Sequence, residues 1–378
     1  MAATKKIHII SFDVPYPPNY GGVIDVFHKI KALKANGISV ILHCFDYGRG
    51  EQQSLNEYCE QVYYYPRIKK WYHLFSLLPF IVRTRISSDL KNNLLKDDYP
   101  ILFEALHSCF LLQDIDFLHR KKIFRESNIE HQYYWELSRQ EKKLVRKIYF
   151  WQEAIKLRWF ETRLKSADLM LVVSESETSY FRKKFPGNSV HYLPSFHGNK
   201  EIKSKTGQGD YLLYHAKLSV AENHHAAMQL IDKVFSKISY SVYIAGMSPF
   251  DELKEKVNRY PNIQLIENPS PDEMENLVIN AQLHCLYTDQ GTGLKLKLIN
   301  VLFKGRFILL NDKMLNGVPI PAQLFHVENN LEEWKKKIDE IMRVHFSVID
   351  IEHRKNSLFL FNDELNSKKM IQWIWSEN

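Results

Sequence analysis

Short apolar runs alternate along the chain with stretches whose apolar positions recur three and four residues apart. Ile7-His8-Ile9-Ile10-Ser11-Phe12 has the continuous apolar character of a buried strand. A Pro-rich loop, Val14 to Asn19, and the pair Gly21-Gly22 follow it. From Val23 the apolar residues Val23, Phe27, Ile30 and Leu33 fall at helical spacing, and Gly37 ends that helix. Ile38 to Phe45 is a second strand. A strand, a glycine loop, a helix and a strand in this order open a doubly wound parallel sheet. Val62 to Tyr65, Ile101 to Ala105, Ile123 to Arg125 and Leu169 to Val173 continue the strands. Helical stretches separate them, the longest from about Arg139 to Lys165.

The pattern breaks near Pro194. Ser195 to Asp210 is polar, carries three Gly and several Lys, and shows no periodicity, which predicts a linker. The rhythm then restarts. Tyr211 to His215, Ser241 to Ala245 (ending at Gly246), Ile263 to Ile266, Leu283 to Tyr287 and Phe307 to Leu310 are strands. Asn223 to Phe235 is a helix, and Gly293 to Phe303 is a loop entering a helix. A helical tail from Asp363 to Trp375, with two Trp expected at the surface, closes the chain. The expected organisation is an α/β domain over 1–194, a linker over 195–210, a second α/β domain over 211–362, and a C-terminal helix, 363–378, packing back on the first domain.

At 378 residues, with 45% hydrophobic and 25% charged positions, each half can bury a core of its own. The formal charge of +7 is spread over the chain; it favours anionic partners such as a diphosphate, a lipid phosphate or a membrane surface, and no basic cluster marks a nucleic-acid binder. Cys44, Cys59, Cys109 and Cys285 lack metal-ligand spacing and are expected as buried thiols of a reducing cytoplasm. The start, Met1 to Lys6, is charged and runs straight into the first strand, so no signal peptide is expected. Trp71 to Val82 is too short to span a bilayer. The segment 69–85 is basic at both ends (Lys69, Lys70; Arg83, Arg85) and aromatic inside, a composition suited to peripheral contact with an anionic membrane, with a buried helix pair as the alternative.

Two glycine loops carry the candidate chemistry. Gly21-Gly22 at a helix start exposes backbone N–H groups where the helix dipole adds positive charge, so a phosphate can bind; a plain tight turn is the other possibility. The dinucleotide spacing of glycines is absent, which counts against a nicotinamide enzyme. Gln290-Gly291-Thr292-Gly293-Leu294-Lys295-Leu296-Lys297-Leu298 opens a helix after the strand Leu283 to Tyr287, at the carboxyl end where open α/β sheets take ligands. Lys295 is expected at a diphosphate; Lys297 is expected as a solvated, snorkelling side chain.

These segments together resemble glycosyltransferase family 4. Pro15-Tyr16-Pro17-Pro18-Asn19-Tyr20-Gly21-Gly22 is similar to that family's opening loop. Asn128-Ile129-Glu130-His131-Gln132-Tyr133-Tyr134 resembles a segment of its polysaccharide-assembly members. Ala167 to Ser174 resembles the last strand of its first domain, Tyr214 to Ser219 the start of its second, and Gly291 to Gly305 its donor-site loop and helix. The resemblance spans nearly the whole chain in the family's order. It implies the GT-B fold, two Rossmann-like doubly wound α/β domains facing a central cleft. The implied activity is transfer of a hexosyl unit from a nucleoside diphosphate sugar to a glycan or lipid-linked acceptor, with retention, with no metal and no cofactor beyond that donor. A bacterial cytoplasmic protein, peripheral at the inner face of the cell membrane, is the expected setting.

The resemblance also implies roles. Gly21 and Gly22 approach the donor phosphates or the acceptor, His107 contacts the transferred sugar, Lys217 is a basic phosphate position, and Gly291, Thr292, Gly293, Leu294 and Lys295 wrap the sugar and diphosphate. Asn300 stands where the family holds the ribose with a Glu, and His131 is placed on the acceptor side. The sequence departs from the family at marked points: its two glutamates are Thr292 and Asn300 here, its second basic position is Glu222, and a Gly is Ala216. Two alternatives therefore stay open, a sugar-nucleotide epimerase and a non-catalytic partner that binds a sugar nucleotide or a second transferase. Asp114-Ile115-Asp116 imitates a metal-binding pair but follows no clear strand end, and His224-His225 are expected at the surface of a helix.

Overall fold

The computed structural model describes residues 5–46, 48–289, 291, 293, 295–315 and 317–375. The chain divides into two compact units. The first holds seven strands: β1 (Lys6–Ser11), β2 (Ser39–Asp46), β3 (Gln61–Pro66), β4 (Ile101–Glu104), β5 (Lys122–Arg125), β6 (Leu169–Val172) and β7 (Ser189–Tyr192). They pair in the order β3-β2-β1-β4-β5-β6-β7, parallel throughout, with Ile9 level with Leu42 on one side and Leu102 on the other. The central strands are apolar on both faces because both faces are covered. Val26, Ile30 and Leu33 of the helix Gly21–Ala35 cover one face, with Met370 and Ile374 of the C-terminal helix Asp363–Trp375. Phe160, Leu164 and Phe181 pack on the other face against Phe103, Phe124 and Met170.

The second unit holds β8 (Tyr211–Ala216), β9 (Ser241–Gly246), β10 (Ile263–Glu267), β11 (Leu283–Leu286), β12 (Phe307–Leu310) and β13 (His326–Val327), in the order β10-β9-β8-β11-β12-β13, again parallel. Its core joins Leu212, Tyr214, Ile244 and Cys285 to Leu230 and Ile231 of the helix Ala221–Lys233 and to the fully buried Trp334. Both units are thus Rossmann-like and doubly wound. In each, the chain reverses its direction across the sheet at one place, between β1 and β4 in the first and between β8 and β11 in the second. Open α/β sheets bind ligands at the carboxyl ends of the strands beside such a reversal.

Two expectations are corrected, the long helix and the C-terminal Trp. The long helix is broken: Glu130–Gln140 and Leu144–Phe160 are separate, and a 3-10 turn Glu161–Ser166 follows. Glu141 is extended, and its carboxylate accepts the Lys143 amide, which closes a local turn in place of the next helical bond. The polar stretch after Pro194, within which the chain passes from the first unit to the second, is held at several points. Phe196 is buried, its amide donates to Asp25, Lys203 donates its amide to the Phe303 carbonyl, and Gly207 bridges to Phe346. The two C-terminal Trp are half-buried: Trp373 stacks on His191 with ring centres 4.3 Å apart, and Trp375 packs under Lys5. The four cysteines are buried and unpaired.

Candidate functional site

In the first unit, three segments leave the carboxyl ends of β1, β4 and β5. After β1 the chain crosses Phe12 and Asp13 to the helix Gly21–Ala35, whose N-terminus has no side-chain cap. Asp13 holds this loop by accepting the Val14 amide at 2.9 Å and the Tyr20 hydroxyl at 2.6 Å. A Cβ on Gly22 would lie 2.5 Å from the tip of the Phe12 ring, so glycine lets that ring lie against the helix start. The opposite side of the site uses the same ring: Phe12 and His107 stand 5.5 Å apart, ring centre to ring centre.

His107 is set by backbone strain. Ala105, at the end of β4, has φ +56° and ψ 166°, a conformation that side chains rarely adopt, and the turn it makes carries His107 beside the sheet edge. The buried His107 Nδ1 has no hydrogen-bond partner among the described residues and lies 3.8 Å from the Glu130 Oε1. Burial, with the nearby Arg85 and Arg67 cations, holds this imidazole neutral, well below its usual range. Glu130 opens the helix Glu130–Gln140. Burial pushes its carboxyl up to about 8; Arg85 opposes the shift, and Glu161 and Glu177 reinforce it. Near neutrality the pair is therefore a neutral imidazole beside a protonated carboxyl, two groups able to donate and accept protons to a sugar hydroxyl.

The structure brings Gly22, Phe12, His107 and Glu130 together. His131 turns instead to Glu161, its Nδ1 3.0 Å from the carboxylate, in a network with the Tyr180 hydroxyl and Lys184. Neighbours on a helix point about 100° apart, and it is Glu130, quoted only within a motif, that reaches His107. Arg85 is a further correction: it is buried, donating to the Phe12 and Ile81 carbonyls at 2.9 and 2.6 Å, so it floors this site and does not flank a membrane segment. Phe80–Arg83 is a buried turn of helix at Ile81 and Val82, and the exposed apolar side chains of 69–85 are confined to positions 71–77. Asp114 and Asp116 both pair with Lys91.

Beneath this edge lies a buried charge network absent from the motifs. Lys29 reaches Asp25 at 3.0 Å and Glu104 at 2.6 Å, and Arg125 reaches Asp25 at 3.1 Å and donates to the Leu193 and Pro194 carbonyls. Two cations balance two carboxylates, which is what burial of charge requires.

In the second unit, Lys217 follows β8 and is exposed; Asn223 and the Val220 amide both donate to its carbonyl and fix the turn. Gly291 lies after β11; Gly293, which belongs to the first unit, has φ +68°, a left-handed conformation that favours glycine. Thr292 and Leu294 lie outside the described residues. Lys295 is the residue before the helix Leu296–Lys304, whose N-terminus has no side-chain cap; Asn300 sits half-buried in its second turn. Leu298, Ile299, Leu302 and Phe303 anchor this helix in the core.

Lys297 is not the solvated side chain expected from its alternation with Leu. Its ammonium lies 5.7 Å from the Tyr214 ring centre, and burial, with Lys295 nearby, lowers it to about 8 against the pull of Glu222. Glu222 accepts a hydrogen bond from the buried Thr288 hydroxyl. The carboxyl edge of this sheet thus carries Lys217 after β8 and, after β11, Lys295 and Lys297 at the start of the helix Leu296–Lys304, with Glu222 pulling on Lys297. Burial and Lys297 also keep His215 neutral, lowered to about 4. Such an edge can hold a diphosphate.

No family model matches the chain. A protein of Klebsiella pneumoniae described as an uncharacterized 44.6 kDa protein in the cps region is 24% identical over 403 residues, covering 99% of this chain and all of that one. Among solved structures, sucrose-phosphate synthase from Thermosynechococcus elongatus superposes with TM-score 0.72 at 15% identity, covering 98% of each chain. Anabaena Alr3699/HepE, solved with UDP-glucose, gives 0.68 at 10% identity over 98% of this chain and 99% of that one. A point mutant of S. aureus TarM, solved with Fondaparinux, α-GlcNAc-glycerol and UDP, also gives 0.68 at 10% identity, covering 98% and 100%. The fold is that of GT-B glycosyltransferases. At these identities the likeness fixes the fold and leaves the chemistry to the residues described above.

Proposed function

We propose that this protein is a glycosyltransferase that moves a hexosyl unit from a nucleoside diphosphate sugar to a glycan or lipid-linked acceptor, with retention and without a metal. The observation that carries the proposal is the cationic carboxyl edge of the second unit, with Lys217 after β8 and Lys295 and Lys297 at the start of the helix after β11, on a fold shared with proteins solved with UDP and UDP-glucose. In the reaction, the bond from the anomeric carbon to the diphosphate oxygen breaks and the acceptor oxygen bonds to that carbon. The acceptor's hydroxyl proton passes to the departing phosphate. Lys217, Lys295, Lys297 and the helix N–H groups stabilise the growing negative charge by being in place beforehand. Gly291, Thr292, Gly293, Leu294 and Asn300 hold the sugar and nucleotide, Gly21 and Gly22 a phosphate or the acceptor, and His107 a hydroxyl of the transferred sugar, with His131 on the acceptor side. A cytoplasmic, membrane-peripheral protein of bacterial surface polysaccharide assembly fits this role, and the relative in a cps region supports it.

One observation favours the non-catalytic alternative: Glu222 and Asn300 replace a cation and an anion of the family pattern. Release of nucleoside diphosphate from a panel of donors, with and without glycan or lipid-linked acceptors, separates the cases. Acceptor-dependent release in EDTA supports the transferase, conversion of the donor alone supports an epimerase, and neither reaction leaves the binding partner.

A further inference from the structure

We propose that the helix Leu144–Phe160, together with the segment 71–77, seats this protein on an anionic lipid bilayer. This deepens the peripheral contact first placed at 69–85 and rests on that part of the proposed function. Leu144, Val145, Ile148, Trp151, Ile155 and Trp159 are all exposed, Val145 at 81%. At 100° per residue they fall within about one third of the helix circumference, the width of a buried stripe on an ordinary surface helix. Here that stripe faces outward. The opposite face does the usual work, with Ala154, Leu157 and Phe160 buried in the first unit's core.

The stripe is continuous with a second apolar surface. Trp71, Phe75 and Leu77 are exposed at 75%, 78% and 86%. The Lys156 ammonium donates to the Leu74 carbonyl at 2.9 Å, and Glu153 accepts the Phe80 amide at 2.6 Å, so helix and segment are held side by side. Monomeric soluble proteins rarely expose so many large apolar side chains in one patch.

Charge selects the occupant. The only acidic residue of the helix, Glu153, is buried and paired with Lys156. Its exposed charges are Arg146, Lys147 and Arg158, preceded by Lys142 and Lys143, and Lys69 and Lys70 precede Trp71. Exposed Trp and Ile with basic residues at their borders is the composition of a helix lying in a membrane interface, where the apolar stripe enters the acyl boundary and the cations meet anionic headgroups. A second copy of the same surface would set these cations against one another.

The test is flotation of the full chain with vesicles of phosphatidylcholine alone and of phosphatidylcholine mixed with phosphatidylglycerol. The protein should float with the mixed vesicles only, and salt should weaken binding. The triple variant Ile148→Ser/Trp151→Ser/Ile155→Ser should bind mixed vesicles at least about tenfold more weakly, with an unchanged melting temperature. Arg146→Glu/Lys147→Glu should weaken binding in the same direction. Wild-type binding by the triple variant overturns the role of the helix, even if Trp71→Ser/Phe75→Ser abolishes contact. Absence of flotation, or a dimer in sedimentation that the triple variant dissolves, overturns the proposal in favour of a second copy. Lipid binding needs no sugar donor, so vesicle binding without any donor-induced stabilisation sinks the transferase while the docking surface stands.

Discussion

Lys297 and Glu130 show what a single side chain gains from its surroundings. Lys297 is charged below about 8 and neutral above it. If it holds the diphosphate, donor affinity falls as pH rises through about 8, and donor titrations between about pH 7 and about pH 9 should show proton uptake on binding; flat affinity across that range would remove Lys297 from the site. Lys297→Ala should weaken donor binding ten- to a hundredfold, on the scale of about 1.5–3 kcal/mol for a hydrogen bond to a charged group. Glu130 has the opposite sign. Its native carboxyl keeps its proton up to about 8, whereas the unfolded carboxyl loses it near 4.5. Stability is therefore fully present below 4.5 and is lost as pH rises toward about 8, a loss of a few kcal/mol from this group. Glu130→Gln should flatten that decline in melts taken across the range; an unchanged slope would mean the carboxylate is ionised in the native state. Neither residue declares itself in the sequence. Lys297 stands there as one of two lysines alternating with leucines, because Glu222 and Tyr214, which surround it, lie far away along the chain. Glu130 looks like an ordinary helix-start acid for the same reason.

At the scale of elements, the strands are legible because central parallel strands are apolar on both faces and leave continuous runs. The exceptions obey the same logic. β7 is Ser189–Tyr192 and β13 is two exposed residues, His326–Val327, and neither buries enough to leave a run. Across the first sheet, His8 of β1, His43 of β2 and Tyr65 of β3 form a chain: His8 Nε2 is 2.8 Å from Asp97, His8 Nδ1 is 2.8 Å from His43 Nε2, and the Tyr65 hydroxyl is 2.8 Å from His43 Nδ1. One set of tautomers satisfies every ring nitrogen, with each N–H or O–H donating toward Asp97. Burial lowers both histidines. The unfolded chain takes up their protons below 6.5 and the native chain resists, so stability present above 6.5 is lost as pH falls below it. His43→Phe should cost about 1–3 kcal/mol at neutral pH, since Tyr65 and His8 lose their partner, and should reduce the acid sensitivity. A melt at neutral pH indistinguishable from wild type would show that the chain contributes nothing.

At the scale of the molecule, the restart of the α/β rhythm after residue 210 is enough to foresee two Rossmann-like units. How residues 195–210 are held is not legible in the same way. The polar composition of that stretch suggests a linker, and its beginning is pinned to the first unit by the Phe196 amide donating to Asp25 and by the buried Phe196 ring. That network of four buried charges comes from three separated segments, and no local pattern announces it. The glycine loops are legible as positions and not as environments: Phe12 against Gly22, and the strain at Ala105 that sets His107, exist only in the folded chain. Binding of a nucleoside diphosphate sugar by the second unit is tested most directly by the thermal stability of the full chain against a panel of such donors in EDTA, beside Lys295→Ala and Lys297→Ala. A ligand that binds only the native state at a hundred times its Kd stabilises by about 2.7 kcal/mol. One donor should raise the melting temperature by several degrees, and each variant should cut the rise to about half or less. No shift with any donor at millimolar concentration, or a shift undiminished by either substitution, would contradict the assignment of this edge as the donor site.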